Sequence, residues 1–302
     1  MENTASKSVF IFGCGYVGSR LANKLLSLGY KVGALTKNKA TAEALLAEGV
    51  SEVIVSDLES HEWHAQIGLG YNYVVNCVSS SGGGIEGYNR SYIQGQSSIL
   101  EWAKSQQIDR YIYTSSTSVY AGDQGCAVDE NSALVDESSS PTGSIILQSE
   151  RLVEQARECF DRYHILRLSG IYGPGRHYLL NQLTSESVIA GEGELYMNMI
   201  YVEDAVLVIS SIINSDPHIV SGTYNLSDDS PTLKLEVAEW ICRQINSECP
   251  EFDRTLQSGR NLSRKSRTKN RKISNKKLRQ FFDLKYPTFM QGYKAILEDI
   301  KD

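Results

Sequence analysis

Three glycines follow the first apolar run of the chain at a spacing that suits phosphate binding. The stretch "FIFGCGYVG" places Gly13, Gly15 and Gly18 in the pattern G-x-G-x-x-G. The first glycine permits a tight turn, the second lets the backbone approach a pyrophosphate, and the third lets a helix pack closely on the sheet. The N-terminus of that helix then faces the phosphates with its N–H groups. The pattern predicts a dinucleotide site, and the alternative is a turn that binds no ligand.

The end of the next strand-like run bears on which dinucleotide would bind. A site that prefers NAD usually carries Asp or Glu there, which binds the ribose 2′-hydroxyl. This chain has "ALTKN", with Thr36, Lys37 and Asn38 in that place. No carboxylate repels a 2′-phosphate and Lys37 can pair with one, which predicts NADP(H) as cofactor and leaves NAD as the alternative. Lys37 could instead point into solvent.

The elements that must hold these residues alternate along the first half of the chain. Apolar strand-like runs are separated by segments with helical spacing, which predicts a doubly wound parallel α/β sheet with right-handed crossovers. The predicted strands are 8–13, 31–36, 52–57, 73–78, 110–116 and 163–170, with 222–227 extending the sheet. We expect a dinucleotide-binding domain over 1–175 and a smaller C-terminal lobe over 176–302, of which about 200–230 returns to the sheet.

Composition excludes several classes of protein. The chain has 302 residues with a net charge of −6, which favours a soluble protein and argues against a dedicated nucleic-acid binder. No apolar run approaches membrane-spanning length, and the first residues do not resemble a signal peptide. The six cysteines are scattered without a C-x-x-C pair, so no metal site is expected. We expect a cytoplasmic monomer or homodimer with no membrane partner.

A strongly basic stretch lies near the C-terminus. Residues 260–279 contain ten Lys or Arg residues and no Asp or Glu. Such a run is typical of a solvated loop, and the alternative is a pocket rim that attracts phosphate groups.

Four further stretches resemble one known family. They are "YTSSTSVYA" (113–121), "RLSGIYGPGR" (167–176), "MIYVEDAV" (199–206) and "GTYNLSDDSP" (222–231). In this order they resemble the extended and atypical short-chain dehydrogenase/reductases, which include nucleotide-sugar epimerases and dehydratases. The resemblance implies a Rossmann-like sheet with a small C-terminal substrate lobe. It also implies an NAD(P)-dependent oxidoreductase or epimerase-like activity.

The resemblance assigns roles to individual residues. Ser116 falls on the family's catalytic serine, although "TSST" could merely cap a strand, and Tyr120 is a second tentative catalytic residue. Asp57, followed by Leu58, lies where such folds often contact the adenine, or else caps a helix. Ile171 and Tyr172 fall on the loop whose backbone helps to hold the nicotinamide. The full predicted cofactor-binding set is Gly13, Cys14, Gly15, Tyr16, Val17, Gly18, Thr36, Lys37, Asn38, Asp57, Leu58, Cys77, Val78, Ser79, Ser115, Ile171 and Tyr172.

The family's usual acid/base pair is missing from its expected helix. In the pattern Y-x-x-x-K the two residues share one helix face, and the lysine lowers the pKa of the tyrosine. The stretch "PTGSIILQSERLVE" (141–154) aligns with that helix and puts Ile146 at the tyrosine position and Glu150 at the lysine position. No tyrosine in the chain has a lysine four residues later. The usual mechanism is therefore not expected.

Two functions remain open at this point. One is an enzyme with a rebuilt acid/base drawn from Ser116, Tyr120, Tyr172 and Tyr201, acting on a nucleotide sugar or another phosphorylated substrate. The other is a catalytically inactive dinucleotide-binding sensor or regulatory protein, which the missing tyrosine and lysine favour.

Overall fold

The secondary structure follows the predicted alternation. The computed structural model describes residues 7–68, 70–80, 82–214, 219–256 and 270–300. Within these ranges the strands are β1 Ser8–Phe12, β2 Lys31–Thr36, β3 Glu52–Val55, β4 Tyr73–Asn76, β5 Ile108–Ser116, β6 Cys126–Val128, β7 Phe160–Leu168, β8 Gly170–Tyr172, β9 Val188–Ala190, β10 Tyr196–Met197, β11 Met199–Tyr201, β12 Gly222–Leu226, β13 Thr232–Leu233, β14 Glu251–Asp253 and β15 Arg271–Ile273.

Helices connect most of these strands. In the same ranges they are α1 Gly18–Ser27, α2 Lys39–Ala47, α3 Gly84–Tyr88, α4 Gly95–Ala103, α5 Pro141–Gln155, α6 Tyr178–Ser185, α7 Val202–Asn214, α8 Lys234–Ile245 and α9 Phe289–Asp299. A π-helix over Asn89–Gln94 joins α3 to α4. Short 3₁₀ turns lie at Glu62–Ala65, Thr117–Val119, Arg157–Cys159 and Leu278–Gln280.

Seven strands form the central parallel sheet, in the order β12-β7-β5-β4-β1-β2-β3. β1 pairs in parallel with β2 on one side and with β4 on the other. The chain therefore builds one half of the sheet outward from β1 and then returns to add β4 beside it. In such sheets ligands bind at the carboxyl ends of the strands where the order reverses. The predicted Rossmann-like α/β fold is confirmed.

The central strand shows why this sequence forms a sheet that is covered on both faces. All five residues of β1 are buried, as expected for a strand of a parallel sheet with helices on both sides. Phe10 and Phe12 pack with Trp63 and Trp102 in the core, with ring centroids 4.9 to 6.2 Å apart.

The chain divides into two compact units. Unit 1 comprises residues 1–119, 136–167 and 205–224, and unit 2 comprises 120–135, 168–204 and 225–302. The division does not fall at residue 175, because 120–135 and 168–175 belong with the C-terminal part. Unit 2 holds four two-stranded sheets, β10–β13, β11–β8, β14–β9 and β15–β6.

Ser140 and Asp57 differ in whether they cap a helix. The side chain of Ser140 caps α5 by accepting the N–H of Gly143 at 3.2 Å, and Pro141 occupies the first turn. Asp57 caps no helix, since β3 ends at Val55 and the 3₁₀ turn that follows begins at Glu62 after His61.

Candidate functional site

The glycine turn is tight at its first and third glycines and open at the second. Gly13 has φ +85°, and a Cβ built on it would lie 2.8 Å from the Cα of Val78. A Cβ on Gly18 would lie 2.3 Å from the carbonyl oxygen of Gly13. A Cβ on Gly15 would meet nothing within 4 Å among the described residues. The turn therefore folds around Gly13 and Gly18 and leaves space over Gly15, where a pyrophosphate would approach.

The start of α1 is also suited to an anion. The helix begins at Gly18 with no acidic residue in its first turn, and Val17 provides no side-chain cap. Tyr16 and Val17 are partly buried beside it. The N–H groups and the dipole at this end favour a negative group. The residues of this turn therefore fit a dinucleotide phosphate.

Two cysteines of the predicted cofactor set lie beside the turn as neutral thiols. Burial raises the pKa of the Cys77 thiol to about 12 and raises that of Cys14 further. Cys14 is held by its backbone, because its carbonyl accepts the hydroxyl of Ser19 at 2.8 Å. Neither thiol is therefore activated as a nucleophile in this environment.

At the end of β2 the backbone turns so that Lys37 is exposed. The buried Thr36 accepts the N–H of Asn38 on its hydroxyl at 3.3 Å. Asn38 caps α2 by accepting the N–H of Thr41 at 3.0 Å. Within the described ranges no carboxylate pairs with Lys37. Asp57 is exposed and Leu58 is buried at the end of β3.

At the end of β4 lies a network of buried polar side chains that the sequence analysis did not predict. Asn76 accepts the N–H of Val78 at 2.9 Å and donates to Gln96 at 2.8 Å. Gln96 in turn donates to the hydroxyl of Tyr111 at 2.7 Å. This network fixes the chain direction into 77–80, which includes the exposed Ser79. The one available signal was an asparagine inside the apolar run "YVVNCV".

The two serines at the end of β5 have different surroundings. Ser116 is partly buried, and its hydroxyl accepts the N–H of Ser118 at 3.1 Å. Ser115 is buried and donates to Glu150 on α5. Ser116 thus keeps its own hydroxyl hydrogen for another acceptor, whereas that of Ser115 is used internally.

Glu150 and Arg167 form a buried ion pair. Arg167 Nη2 lies 2.7 Å from Glu150 Oε2, and Arg167 Nε lies 3.0 Å from Glu150 Oε1. The exposed fractions are 2% for Glu150 and 4% for Arg167. Ile146, one turn earlier on α5, is 4% exposed. The face of α5 that carries Ile146 and Glu150 therefore presents an apolar side chain and a carboxylate that Arg167 neutralises.

Comparison with known proteins identifies the chain's family. The model of the NAD-dependent epimerase/dehydratase family matches residues 9–227. The chain belongs to that family. Protein YeeZ of Escherichia coli K12 is 25% identical over 266 residues, which cover 84% of this chain and 89% of that protein. A protein named uncharacterized UDP-glucose epimerase YtcB, of Bacillus subtilis, is 28% identical over 172 residues, which cover 54% of this chain and 53% of that protein.

A solved structure from Bacillus cereus has the same fold as this chain. It is a UDP-glucuronic acid 4-epimerase in complex with UDP-glucuronic acid and NAD, with a TM-score of 0.80 at 20% identity. The match covers 97% of this chain and 99% of that one. At this identity the likeness shows the fold alone.

The tyrosines that sequence reasoning offered as replacement acid/base groups lie in the interior of unit 2. Tyr120 is fully buried and its hydroxyl donates to Asn225 Oδ1 at 2.6 Å. Tyr172 packs with Tyr201 and Tyr293, with ring centroids 5.4 and 5.1 Å apart, and burial raises its pKa far above the ordinary value. This placement supports packing roles for these side chains. Ile171 is partly buried and pairs with Ile200 between β8 and β11.

Two arginines in the described part of the basic stretch form contacts within unit 2. Arg271 donates to the carbonyl of Tyr120 at 3.1 Å, and Arg279 contacts Asp229 and Asp283 at 3.3 and 3.1 Å. Five of the ten basic residues, from Arg260 to Lys269, lie outside the described residues.

Neither a metal centre nor a membrane span is found in the described ranges. They contain no group of three His, Cys, Asp or Glu side chains arranged to hold an ion. None of their helices has the length and apolar character needed to cross a bilayer.

Proposed function

We propose that the chain is an NADP(H)-dependent oxidoreductase or epimerase/dehydratase-like enzyme that works without the family's tyrosine–lysine pair. The observation that carries this proposal is the glycine turn, which is closed at Gly13 and Gly18 but open at Gly15. A turn with a purely structural role has no need for the space over Gly15. A bound nicotinamide would supply the hydride transfer, and the protein would bind, orient and hydrogen-bond the substrate.

The preference for NADP rests on the end of β2. Lys37 is exposed, no carboxylate follows Thr36, and Asn38 is occupied with capping α2. An exposed ammonium group at this point attracts a ribose 2′-phosphate, and no carboxylate there repels it.

The proposed substrate is a nucleotide sugar or another phosphorylated small molecule. The name of YtcB and the ligands of the Bacillus cereus structure point to UDP-sugars for those proteins. Ser116 is the proposed catalytic residue, because its hydroxyl accepts the Ser118 N–H and no acceptor for its own hydrogen is found in the described part of the chain. That hydrogen is available for the reacting oxygen of the substrate. Tyr120 has weaker support because Asn225 holds its hydroxyl.

The test is turnover of NADPH and NADP⁺ with a panel of carbonyl compounds and nucleotide sugars, including UDP-glucose and UDP-glucuronic acid. We expect turnover with at least one phosphorylated substrate and a loss of roughly 10²-fold in kcat for Ser116→Ala. Ser118→Ala is the matched control, since the bond between Ser116 and Ser118 uses only the backbone of Ser118. Absence of NADPH binding in the wild type would overturn the proposal.

A second function is supported by the ion pair of Glu150 with Arg167. A buried, neutralised carboxylate at the lysine position cannot lower a phenol pKa, which favours a sensor that binds the dinucleotide without turning it over. That function predicts tight NADPH binding, no turnover across the panel, and a protein partner whose affinity differs between NADPH and NADP⁺. Equal partner affinity with both forms would contradict it.

A further inference from the structure

The π-helix over Asn89–Gln94 carries a tyrosine that has no role in the proposed function. Tyr92 lies on this segment, between α3 and α4, and packs partly buried against the core of unit 1. Its ring lies 5.3 Å from that of Tyr88. π-Helical turns are rare because they widen the backbone, and they occur frequently at functional sites.

The hydroxyl of Tyr92 lies at the loop that follows β4. It accepts the N–H of Ser80 at 3.4 Å. Two residues earlier, the backbone of Val78 packs so closely on Gly13 that a Cβ there would lie 2.8 Å away. The hydroxyl is therefore bonded to the loop that borders the glycine turn.

Tyr92 also lies near the helix from which the family's tyrosine is missing. The π-helix packs against α5. Tyr92 and Glu150 both act electrostatically on the buried hydroxyl of Tyr113, and both raise its pKa. The phenol of Tyr92 and the carboxylate of Glu150 thus both lie near the same buried hydroxyl in unit 1.

We propose that Tyr92 supplies the phenol that Ile146 cannot, as a hydrogen-bond donor to the reacting oxygen of the substrate. This inference rests on the proposed function. The Ser80 N–H occupies a lone pair of the Tyr92 oxygen, so the hydroxyl hydrogen remains for a ligand. Over the described ranges no side chain or carbonyl accepts that hydrogen.

The protonation state of Tyr92 decides whether its phenol donates a hydrogen bond or accepts a proton. Burial, and then the neighbouring Tyr88, raise the pKa of Tyr92 to about 12, and the Ser80 N–H opposes this only in part. The phenol is therefore protonated at neutral pH and donates a hydrogen bond rather than accepting a proton. In the family's usual arrangement a lysine lowers the phenol pKa, and no such lysine is present here.

The test uses the whole protein labelled with ¹³C at the tyrosine Cζ atoms, whose NMR shifts report hydrogen bonding and nearby charge. The Tyr92 signal is assigned as the one lost in Tyr92→Phe, and the matched control is Tyr88→Phe, at the end of α3. We expect the Tyr92 signal to move on addition of NADP⁺ and of NADPH, by different amounts, while the Tyr88 signal moves far less. A Tyr92 signal that stays fixed when both the cofactor and a substrate found by the panel are bound would overturn the inference and leave the proposed function standing.

Kinetics separate a substrate contact from a purely structural role. On a substrate found by the panel, Tyr92→Phe should lower kcat by about 10²-fold, as loss of one preorganised donor does, with NADPH affinity unchanged. Tyr88→Phe should keep the wild-type rate. Equal kcat for wild type and Tyr92→Phe would remove Tyr92 from the reaction. Failure of the wild type to bind NADPH would instead overturn the proposed function, and this inference with it.

Discussion

Arg167 on β7 and Glu150 on α5 face each other in a two-point contact, with 2.7 Å from Nη2 to Oε2 and 3.0 Å from Nε to Oε1. Both side chains are almost completely buried. A planar guanidinium and a carboxylate match in this geometry, and Ser115 adds a third hydrogen bond to the same carboxylate. The position where the family carries a lysine is therefore occupied in this chain by a carboxylate whose charge Arg167 neutralises.

Breaking this pair from one side should destabilise the fold strongly. We expect Glu150→Gln to lower the free energy of unfolding by about 3 kcal/mol, because it leaves the buried Arg167 charge uncompensated. Glu150→Lys should cost more, since it places two cations together. Urea unfolding measures both, with the exposed Glu154→Gln on the same helix as control.

Replacing both partners tests whether the charge itself is the cause. Leucine at both 150 and 167 should recover most of the stability lost in Glu150→Gln, because no buried charge remains unpaired. A double variant as unstable as the sum of the single variants would contradict this explanation.

Substitutions at Gly15 and Gly18 should have different effects on folding and on cofactor binding. Gly15→Ala should leave the free energy of unfolding nearly unchanged, because its Cβ enters open space, yet weaken NADPH binding by occupying the room of the pyrophosphate. Gly18→Ala should destabilise the fold, because its Cβ would lie 2.3 Å from the Gly13 carbonyl oxygen. Fluorescence titration with NADPH and thermal unfolding measure the two effects. Unchanged NADPH affinity in Gly15→Ala would contradict the assignment of the turn.

Lys37 should set the choice between the two dinucleotides. We expect Lys37→Met to weaken NADPH binding about tenfold, as loss of one charge-assisted contact does, and to change NADH binding little. Lys39→Met, at the first residue of α2, is the control with the same loss of charge. Equal weakening of both cofactors would assign Lys37 a general electrostatic role instead of one specific for the 2′-phosphate.

We expect the Tyr120 hydroxyl to contribute to the stability of the fold rather than to catalysis. Tyr120→Phe removes the donor to Asn225 and leaves a buried amide oxygen short of a partner, so the free energy of unfolding should fall by about 1–3 kcal/mol. Any loss of turnover should follow the loss of folded protein. A variant as stable as the wild type with a large fall in kcat would return Tyr120 to the list of catalytic residues.

Asp228 should make stability depend on pH in an uncommon direction for a carboxylate. Burial raises its pKa to about 8, and Asp229 and Asp204 add to this against the Ser230 N–H. Between the ordinary pKa of 3.8 and about 8 the folded state keeps a proton that the unfolded state has released. This group therefore stabilises the fold below that window, and the stabilisation is lost as the pH rises through about 8. In Asp228→Asn the fall should disappear, whereas the fully exposed Asp283→Asn should keep it. Chemical unfolding at a series of pH values measures the difference.

The sequence by itself determined the sheet and the glycine turn, because both are written locally. A buried parallel strand is mostly apolar, a turn with positive φ favours glycine, and a helix face follows a fixed spacing. Residues such as Gly13, Gly18 and the run Ser8–Phe12 therefore carry their structure in their own types and order. The absent lysine four residues after any tyrosine is equally a property of the sequence alone.

Only the tertiary structure decided which polar groups are paired in hydrogen bonds or ion pairs. Glu150 and Arg167 are 17 residues apart, and Tyr120 and Asn225 are 105 apart, so nothing in their neighbourhood in sequence reveals the pairing. The same holds for Tyr92, which lies on a π-helical turn and whose hydroxyl accepts the N–H of Ser80. Burial and long-range contact set the charge, the pKa and the available hydrogen of each group, and these arise only when distant segments of the chain pack together.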